Sequence, residues 1–511
     1  SLKNRSLIFK TNQWGGKARV YNEKFSEIID LYSYGPDSKY EYVLPSAERG
    51  KIIQNRIIEI YIFLIVVLLS IIFWGLLMTV FKMPWYFPKI DKQTYSQNSK
   101  KTLWLDHAIW LFITNNPVPL FIICITVIGF LARLKGLPVH TEDMSIVISW
   151  CKTLKEHGIG NNILRDYTQP YLLALKLITY LPFSLKISIK ALSIFFDLLC
   201  AIFAAILVKE LRKEAENNFW SSFTYGIIWI LPTVIFNGSY WGQSDSIYTA
   251  FLLLSAVMFS RRKYSLGFFA YAISISIKMT AIMYSPFLLL FYLTKKRFSI
   301  FNFFLLPLTF FGFTLPAVLA GKPFWQTINP LIHYGTDGVT GSLYNGYINF
   351  WALNSEVAAD LILSLRSIMV LLCVGIIGTL IILLVFKKVR PNPSQYIGIA
   401  ILFALIFIYL APGMHERYFY AGDILSIVYF ISGRDKRKWF VPIIINLHSF
   451  QSSIRYITGW VDTIDKATIV MLIAIVYCIF IIYFAKTLYC ELTNKVPVLS
   501  DNQTDEYRKE N

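Results

Sequence analysis

Apolar and polar stretches alternate along this chain in long blocks. The clearest apolar blocks are residues 57–81, 118–134 and about 187–208. They are followed by 220–236, 246–260, 264–276, 280–294, 299–319, 364–386, 396–411, 421–432, 439–451 and 467–487. About 20 apolar residues let a helix cross a bilayer, and a helix satisfies its own backbone there. The blocks therefore predict an all-α, polytopic membrane protein of about 12–14 transmembrane helices. Several blocks are short or broken by Gly, Pro or Lys, which is tolerated where backbone is buried in protein or lines a cavity. The blocks divide the chain into a polar N-terminal tail (1–56), an added transmembrane segment and linker (57–116), a main membrane module (117–490) and a polar C-terminal tail (491–511).

Composition agrees with this division. Of 511 residues, 55% are hydrophobic and 16% charged, with a mean hydropathy of +0.52, which excludes an ordinary soluble enzyme. The 31 Tyr and 13 Trp suit interfacial belts. A net charge of +18 invites a nucleic-acid partner, but the bases sit in short clusters between apolar blocks. These are Arg261-Arg262-Lys263, Lys295-Lys296-Arg297, Lys387-Lys388-Arg390 and Arg434-Lys436-Arg437-Lys438, as topology signals would be. Placing every cluster inside puts loops 135–186, 237–245, 320–363, 412–420 and 452–466 on the outer side. The N-terminal tail then falls outside despite its Lys and Arg, unless a short crossing or re-entrant piece lies within 102–116. Six cysteines without a CxxC predict neither a disulfide framework nor a zinc site. No cleavable leader is visible, and Ser1 in place of Met reads as a processed start.

The distinctive polar motifs all fall on the outer side. Thr141 precedes adjacent acids, Glu142 and Asp143, and then Val147, Trp150, Cys151 and Leu154 recur at helical spacing up to Gly158. This predicts a helix lying in the membrane interface, capped by Thr141. Its acids serve either chemistry or the helix dipole. Tyr167-Thr168-Gln169-Pro170-Tyr171 predicts a second surface helix starting near the proline. Asn237 to Ser246 puts Trp241 among amides and hydroxyls, suited to sugar stacking or to an interface belt. Lys278 lies in an apolar block and needs a partner, such as a lipid phosphate, or an interface to snorkel to. Met414-His415-Glu416-Arg417-Tyr418 offers Arg417 as a fork for a phosphate or pyrophosphate. A weaker stretch, Ser342 to Trp351, is rich in Asn and aromatics.

No Walker A loop, GxGxxG, HExxH or Ser-His-Asp signal is present, so an activated sugar would have to arrive through the lipid. Taken together, the motifs resemble the GT-C glycosyltransferases, most closely the bacterial proteins related to the GPI mannosyltransferase family. The resemblance covers about 117–490 and rests on Asp143, Trp150 and Gly158, on Tyr167 to Tyr171 (with Gln169 where proline is more usual), and on Gly238 to Tyr248. Lys278, Asn349, Trp351 and Met414 to Tyr418 complete it, while residues 1–116 depart from the pattern.

This resemblance implies amphipathic interfacial helices in the first large extracytoplasmic loop, 135–186. It implies an inverting hexosyltransferase using a polyprenyl-phosphate-linked donor and an acceptor hydroxyl on the extracytoplasmic side. Asp143 would be the general base, with Glu142 as its alternative, and Arg417, His415 and Lys278 would bind the donor phosphate. Trp241, Gln243, Asp245, Tyr167, Gln169, Glu416, Asn349 and Trp351 would contact sugar or acceptor. The acceptor is a glycan, glycolipid or protein of the cell envelope. A divalent metal, Mg or Mn, is compatible with the acids, though no fixed ligand spacing is visible. Lys-, Ile-, Asn- and Phe-heavy usage points to a bacterial plasma membrane and to undecaprenyl phosphate. The alternative is a flippase or transporter of lipid-linked glycans, which would show a charged central cavity.

Overall fold

The computed structural model describes residues 6–11, 17–22, 25–30 and 38–43, and 104–493 apart from 162, 165–166, 214–217, 296–297, 334–342, 354–358, 434 and 459–465. The expected span 57–81 and the tail beyond 493 lie outside the described residues.

The polar N-terminal stretch is not merely a tail. It holds four strands: β1 (Ser6–Thr11), β2 (Lys17–Asn22), β3 (Phe25–Asp30) and β4 (Ser38–Val43). β1 pairs antiparallel with β4, and β2 with β3, so one hairpin is nested within another in sequence. Ile8, Phe9, Val20, Tyr21, Ile28, Ile29, Tyr40 and Tyr42 supply β-branched and aromatic residues. Interleaved Lys, Arg, Glu and Ser lower the average hydropathy, so the stretch reads as polar although its local preference is extended. These strands belong to a compact unit, Ser1–Phe73, separate from the unit Trp74–Asn511.

The second unit is helical. Its described residues begin with α1 (Trp104–Asn115) and α2 (Pro117–Gly136). Thus a twelve-residue helix lies within 102–116, the stretch expected to hold a short crossing or re-entrant piece if the N-terminal tail is inside. Proline starts α2 because its missing N–H is one the first turn would leave unpaired anyway. Next come α3 (Glu142–His157) and α4 (Gln169–Ile178), the two helices expected in the large loop. Thr141 caps α3 by accepting from the Met144 N–H at 3.3 Å, and Gly158 ends it at φ 72°. Met144, Val147, Cys151 and Leu154 form its buried face. Then follow α5 (Leu185–Arg212), α6 (Phe219–Trp229) and α7 (Pro232–Ile235), the last running into a π-helical turn, Phe236–Trp241. α8 (Asp245–Ser260), α9 (Tyr264–Ile277) and α10 (Ser285–Lys295) come next. The chain closes with α11 (Leu305–Leu319), α12 (Phe324–His333), α13 (Ala359–Phe386), α14 (Pro393–Leu410), α15 (Tyr420–Ser432), α16 (Phe440–Thr458) and α17 (Lys466–Thr493).

Among the described residues, six helical stretches are long and apolar enough to cross a bilayer, and a seventh is reached if α6 and 232–241, bent by 49°, count as one span. The chain is therefore an integral membrane protein. Four other apolar blocks form shorter helices, α8, α9, 279–295 and α15, and 439–451 lies in α16 but for its first residue. A helix the length of α8 rises about 24 Å, less than the ~30 Å of a hydrocarbon core. α5 sits at the centre, packed against α6, α8 and α15. Its Cys200, Ala201, Ala204 and Ala205 are fully buried. Small side chains let helices approach closely where apolar burial alone gives little drive.

Candidate functional site

Three separate pieces of chain meet at the Asp143 carboxylate. The first turn of α3 supplies Asp143 itself, fixed by the Thr141 cap. The π-helical turn supplies Trp241, whose indole N–H donates to Asp143 Oδ2 at 2.9 Å. Gln243, just after that turn, donates its amide to the same oxygen at 2.8 Å. The loop between α14 and α15 supplies Arg417, with Nη1 3.4 Å from that oxygen. Charge-assisted bonds of this kind are the strong ones, so the indole and the amide, with Arg417 as an ion-pair partner, hold that oxygen in place.

The turn carrying Trp241 and Gln243 is itself held tightly. Gly242 adopts φ +74°, a left-handed conformation that favours glycine. Lys190 of α5 donates to three carbonyls, Gly136 and Val139 at 2.7 Å and Tyr240 at 3.1 Å. It thereby ties the end of α2, the start of the large loop and the turn together. Ser193 of α5 donates to the Gln243 carbonyl at 2.7 Å.

A second layer lies beneath. Asp245 is fully buried and receives Lys278 Nζ at 2.6 Å and Asn237 Nδ2 at 3.2 Å. Arg417 Nε lies 4.0 Å from it. Lys278 stands where α9 breaks into extended backbone (φ −148°), and Thr168 at the start of α4 donates to the neighbouring Ile277 carbonyl at 2.6 Å. The partner of this lysine is thus a protein carboxylate. Asp245 is its counter-ion and does not face an open cleft.

The Arg417 loop is stapled to the Asn-rich segment. Gly413 N–H donates to the Leu343 carbonyl at 2.7 Å, and Tyr347 N–H to that of Met414 at 3.2 Å. Glu416 binds Arg417 at 2.8 Å and rests against Gly346, where φ is +95° and a Cβ would come within 2.5 Å of Oε2. Burial first, with Asp143 adding to it, raises the Glu416 pKa, although Arg417 opposes the shift. Burial also works against the Arg417 charge, but Glu416, Asp143 and Asp245 outweigh it and hold its pKa well above the ordinary value. His415 moves the other way: burial, then Arg417 and Lys278, push it down to about 3. The imidazole is therefore neutral near pH 7, at a position where the resemblance implies a donor-phosphate ligand.

The other expected residues fall into two groups. Tyr167 is at the rim, bonded to Ser244 at 2.9 Å and flanked by Trp150 and Tyr171 rings at 5.1 and 4.8 Å. Gln169 is buried, and no bond reaches its Nε2 among the described residues. Trp241 is 1% exposed and lies under the Arg417 guanidinium at 5.0 Å, so its ring is not open for stacking on a sugar. Glu142 is exposed and joins none of these bonds. Asn349 and Trp351 do not reach the cluster either: Asn349 donates to the Ile408 and Ala411 carbonyls, and Trp351 to that of Leu410. They close the C-terminal end of α14, whose last carbonyls have no helical partner. Arg165 and Asp166 lie outside the described residues.

The structure also shows a buried group that the motifs did not. Arg133 is 3.4 Å from Asp197, Tyr420 donates to Asp197 at 2.8 Å, and Arg133 donates to the Gly129 and Trp229 carbonyls. Arg133 lies near the end of the apolar block 118–134. The available signal was Asp197 itself, a carboxylate inside an apolar block that must have a partner.

Among the described residues, no three His, Cys, Asp or Glu side chains form a metal-ligand group. The cluster's acids are instead contacted by Lys278, Arg417 and N–H donors. No protein-family model matches the chain, and no curated protein matches it.

Proposed function

We propose that this protein is an inverting membrane glycosyltransferase of the GT-C type, with Asp143 as its general base. The observation that carries the reading is the convergence of Trp241, Gln243 and Arg417 on one oxygen of a partly exposed carboxylate. In the step envisaged, the acceptor hydroxyl gives its proton to Asp143 while its oxygen attacks the anomeric carbon. The bond from that carbon to the donor phosphate breaks, and its electron pair leaves on the polyprenyl phosphate. Arg417 lies beside the base and offers the leaving group a fixed positive charge, the kind of term that lowers barriers most in a site shielded from water. Lys278, neutralised by Asp245, acts at longer range.

The donor would be a hexose on a polyprenyl phosphate, undecaprenyl favoured, and the acceptor a glycan, glycolipid or protein hydroxyl at the outer face of a bacterial plasma membrane. The shorter helices α8, α9, α10 and α15, together with the stretch 57–81, would bring the crossings towards the 12–14 expected. The transporter reading gains less support, because the cavity among α5, α8, α10 and α14 is lined mostly by apolar residues, with its charges at the border.

The test is transfer from synthetic polyprenyl-phosphate hexoses by purified wild type and Asp143→Asn. Turnover with at least one donor is expected, with a loss of about 10²–10⁴-fold in the variant, the scale of a general base. Full activity in Asp143→Asn would remove the base assignment. Specific lipid-linked glycan movement without any transfer would favour the transporter.

A further inference from the structure

The opposite end of α8 holds a feature that the Asp143 cluster does not use. A cavity of about 420 Å³ lies among α5, α8, α10 and α14, in the size range of small-molecule sites. Leu252, Phe259, Leu288, Phe291, Ile397 and Ala400 line it. Several of its hydroxyls are engaged with protein: Tyr271 with the Ala281 carbonyl, Tyr396 with Thr294, and Ser255 with the Gly267 carbonyl, at 2.8, 2.6 and 2.7 Å. Such a lining favours hydrocarbon, since apolar burial is the main gain it offers.

The border of the cavity is cationic. Lys213, Arg262 and Lys295 lie there with one carboxylate, Glu210. That carboxylate is bound by Arg261, at 2.7 and 2.8 Å. Lys213 and Arg262 are exposed, and both stand at the end of a helix in left-handed backbone, φ 51° and 59°. A second hollow of about 470 Å³ shares Arg262 and Tyr264 with the first and adds Lys263, Ser265, Ser299 and Asn302. Leu266 and Phe298 also line the second hollow, so an apolar cavity adjoins a basic one of mixed polarity. Asp245 begins α8 and Ser260 ends it, so these hollows lie about 20 Å from the carboxylate cluster along the helix.

We propose that the paired hollows bind an anionic phospholipid. An acyl chain enters between α8, α10 and α14, and the phosphate is held by Arg262 with Lys213, Lys263 and Lys295 around it. The two halves argue together. A soluble anion has no use for the apolar half, and a neutral lipid has none for the cations. Basic pockets between membrane helices suit anionic head groups on the same physical grounds.

The test uses the full chain in phosphatidylcholine nanodiscs, with a trace of phosphatidylglycerol bearing a photoreactive diazirine in its acyl chain. Cross-links are expected within 252–260, 285–295 and 393–400. Unlabelled phosphatidylglycerol should compete, while phosphatidylcholine and inorganic phosphate should not. Arg262→Gln and Lys263→Gln should each weaken competition by about fivefold, the contribution of one cation near an anionic lipid. Ala256→Trp, which fills the apolar half, should abolish labelling of these segments with its thermal midpoint unchanged. If it does not fold, the two exposed-charge variants carry the test alone. Equal labelling by a phosphatidylcholine probe, competition by phosphate alone, or unchanged competition in the double charge variant would overturn the proposal. No transfer assay enters this test, so its outcome is separate from that of the glycosyltransferase reading.

Discussion

Asp143 and Asp197 sit in surroundings built from the same parts. Each lies 3.4 Å from an arginine, Arg417 and Arg133 respectively. Each arginine lies over a tryptophan ring, Trp241 at 5.0 Å and Trp229 at 3.6 Å. What differs is access. Arg133 and Asp197 are 1% and 0% exposed, whereas Arg417 and Asp143 are 15% and 21% exposed. The sealed group joins α2, α5 and α15 and has no room for a reactant. The open one presents a fixed carboxylate at the surface of the helical unit. Residue type does not separate structural from chemical roles here; exposure and the source of the hydrogen bonds do.

Exchanging the two acids for amides would break the comparison most directly. Asp143→Asn should lose about 10²–10⁴-fold in transfer and keep its thermal midpoint, because Arg417 retains Glu416 and Asp245 as partners. Asp197→Asn should do the reverse. It leaves Arg133 buried without its counter-charge, a loss of about 3–5 kcal/mol in stability, while protein that does fold keeps its turnover. Both are read by thermal unfolding in detergent alongside single-turnover transfer. A stable, active Asp197→Asn would mean that the sealed pair contributes little.

Local signals in the sequence carried much of this architecture. Thr141, Gly158 and Pro170 mark the ends of α3 and α4 because caps and stops act within one turn of the chain. Pairings between distant positions were not legible. Lys278 and Asp245 were both singled out, but not as each other's partner, and Arg133 gave no sign of Asp197. Such pairings depend on how α5, α8 and α9 pack, which no single segment encodes. Asn349 and Trp351 stood out as part of an outer stretch rich in Asn and aromatics and of the family resemblance. Their bonds nonetheless go to the end of α14. The strands in 6–43 were hidden by the charged residues between their apolar positions.

The tryptophans sharpen the same contrast at smaller scale. Trp241→Phe keeps an aromatic ring beneath Arg417 and removes one N–H bond to the Asp143 carboxylate. Bonds to charged groups are worth about 1.5–3 kcal/mol, so kcat should fall about tenfold to a hundredfold. The donor KM should change much less. Trp229→Phe removes a bond to the Thr126 carbonyl and part of the buried ring beneath Arg133, and should lower stability without touching kcat. Equal effects of the two variants on kcat would show that the Trp241 indole does not orient the base.

The smallest effect concerns His415, and its sign follows from its surroundings. Burial, Arg417 and Lys278 hold its pKa at about 3, against 6.5 for an unperturbed imidazole. Between these values the unfolded chain takes up a proton that the folded one refuses, so stability rises with pH across that window. It is fully present above pH 6.5 and is lost as the pH falls towards 3. Glu416 is shifted upward and titrates with the opposite sign, so wild type alone would show a mixture of the two. Comparison with His415→Gln isolates the imidazole, because Glu416 is common to both. The thermal midpoint of wild type should drop more steeply than that of His415→Gln from pH 7 to pH 5. Transfer near pH 7.5 should be close to wild type in this variant, since the ring it replaces carries no charge there. A loss as large as that of Arg417→Ala would instead mean that His415 touches the donor and that its neutral ring has a direct part in the reaction.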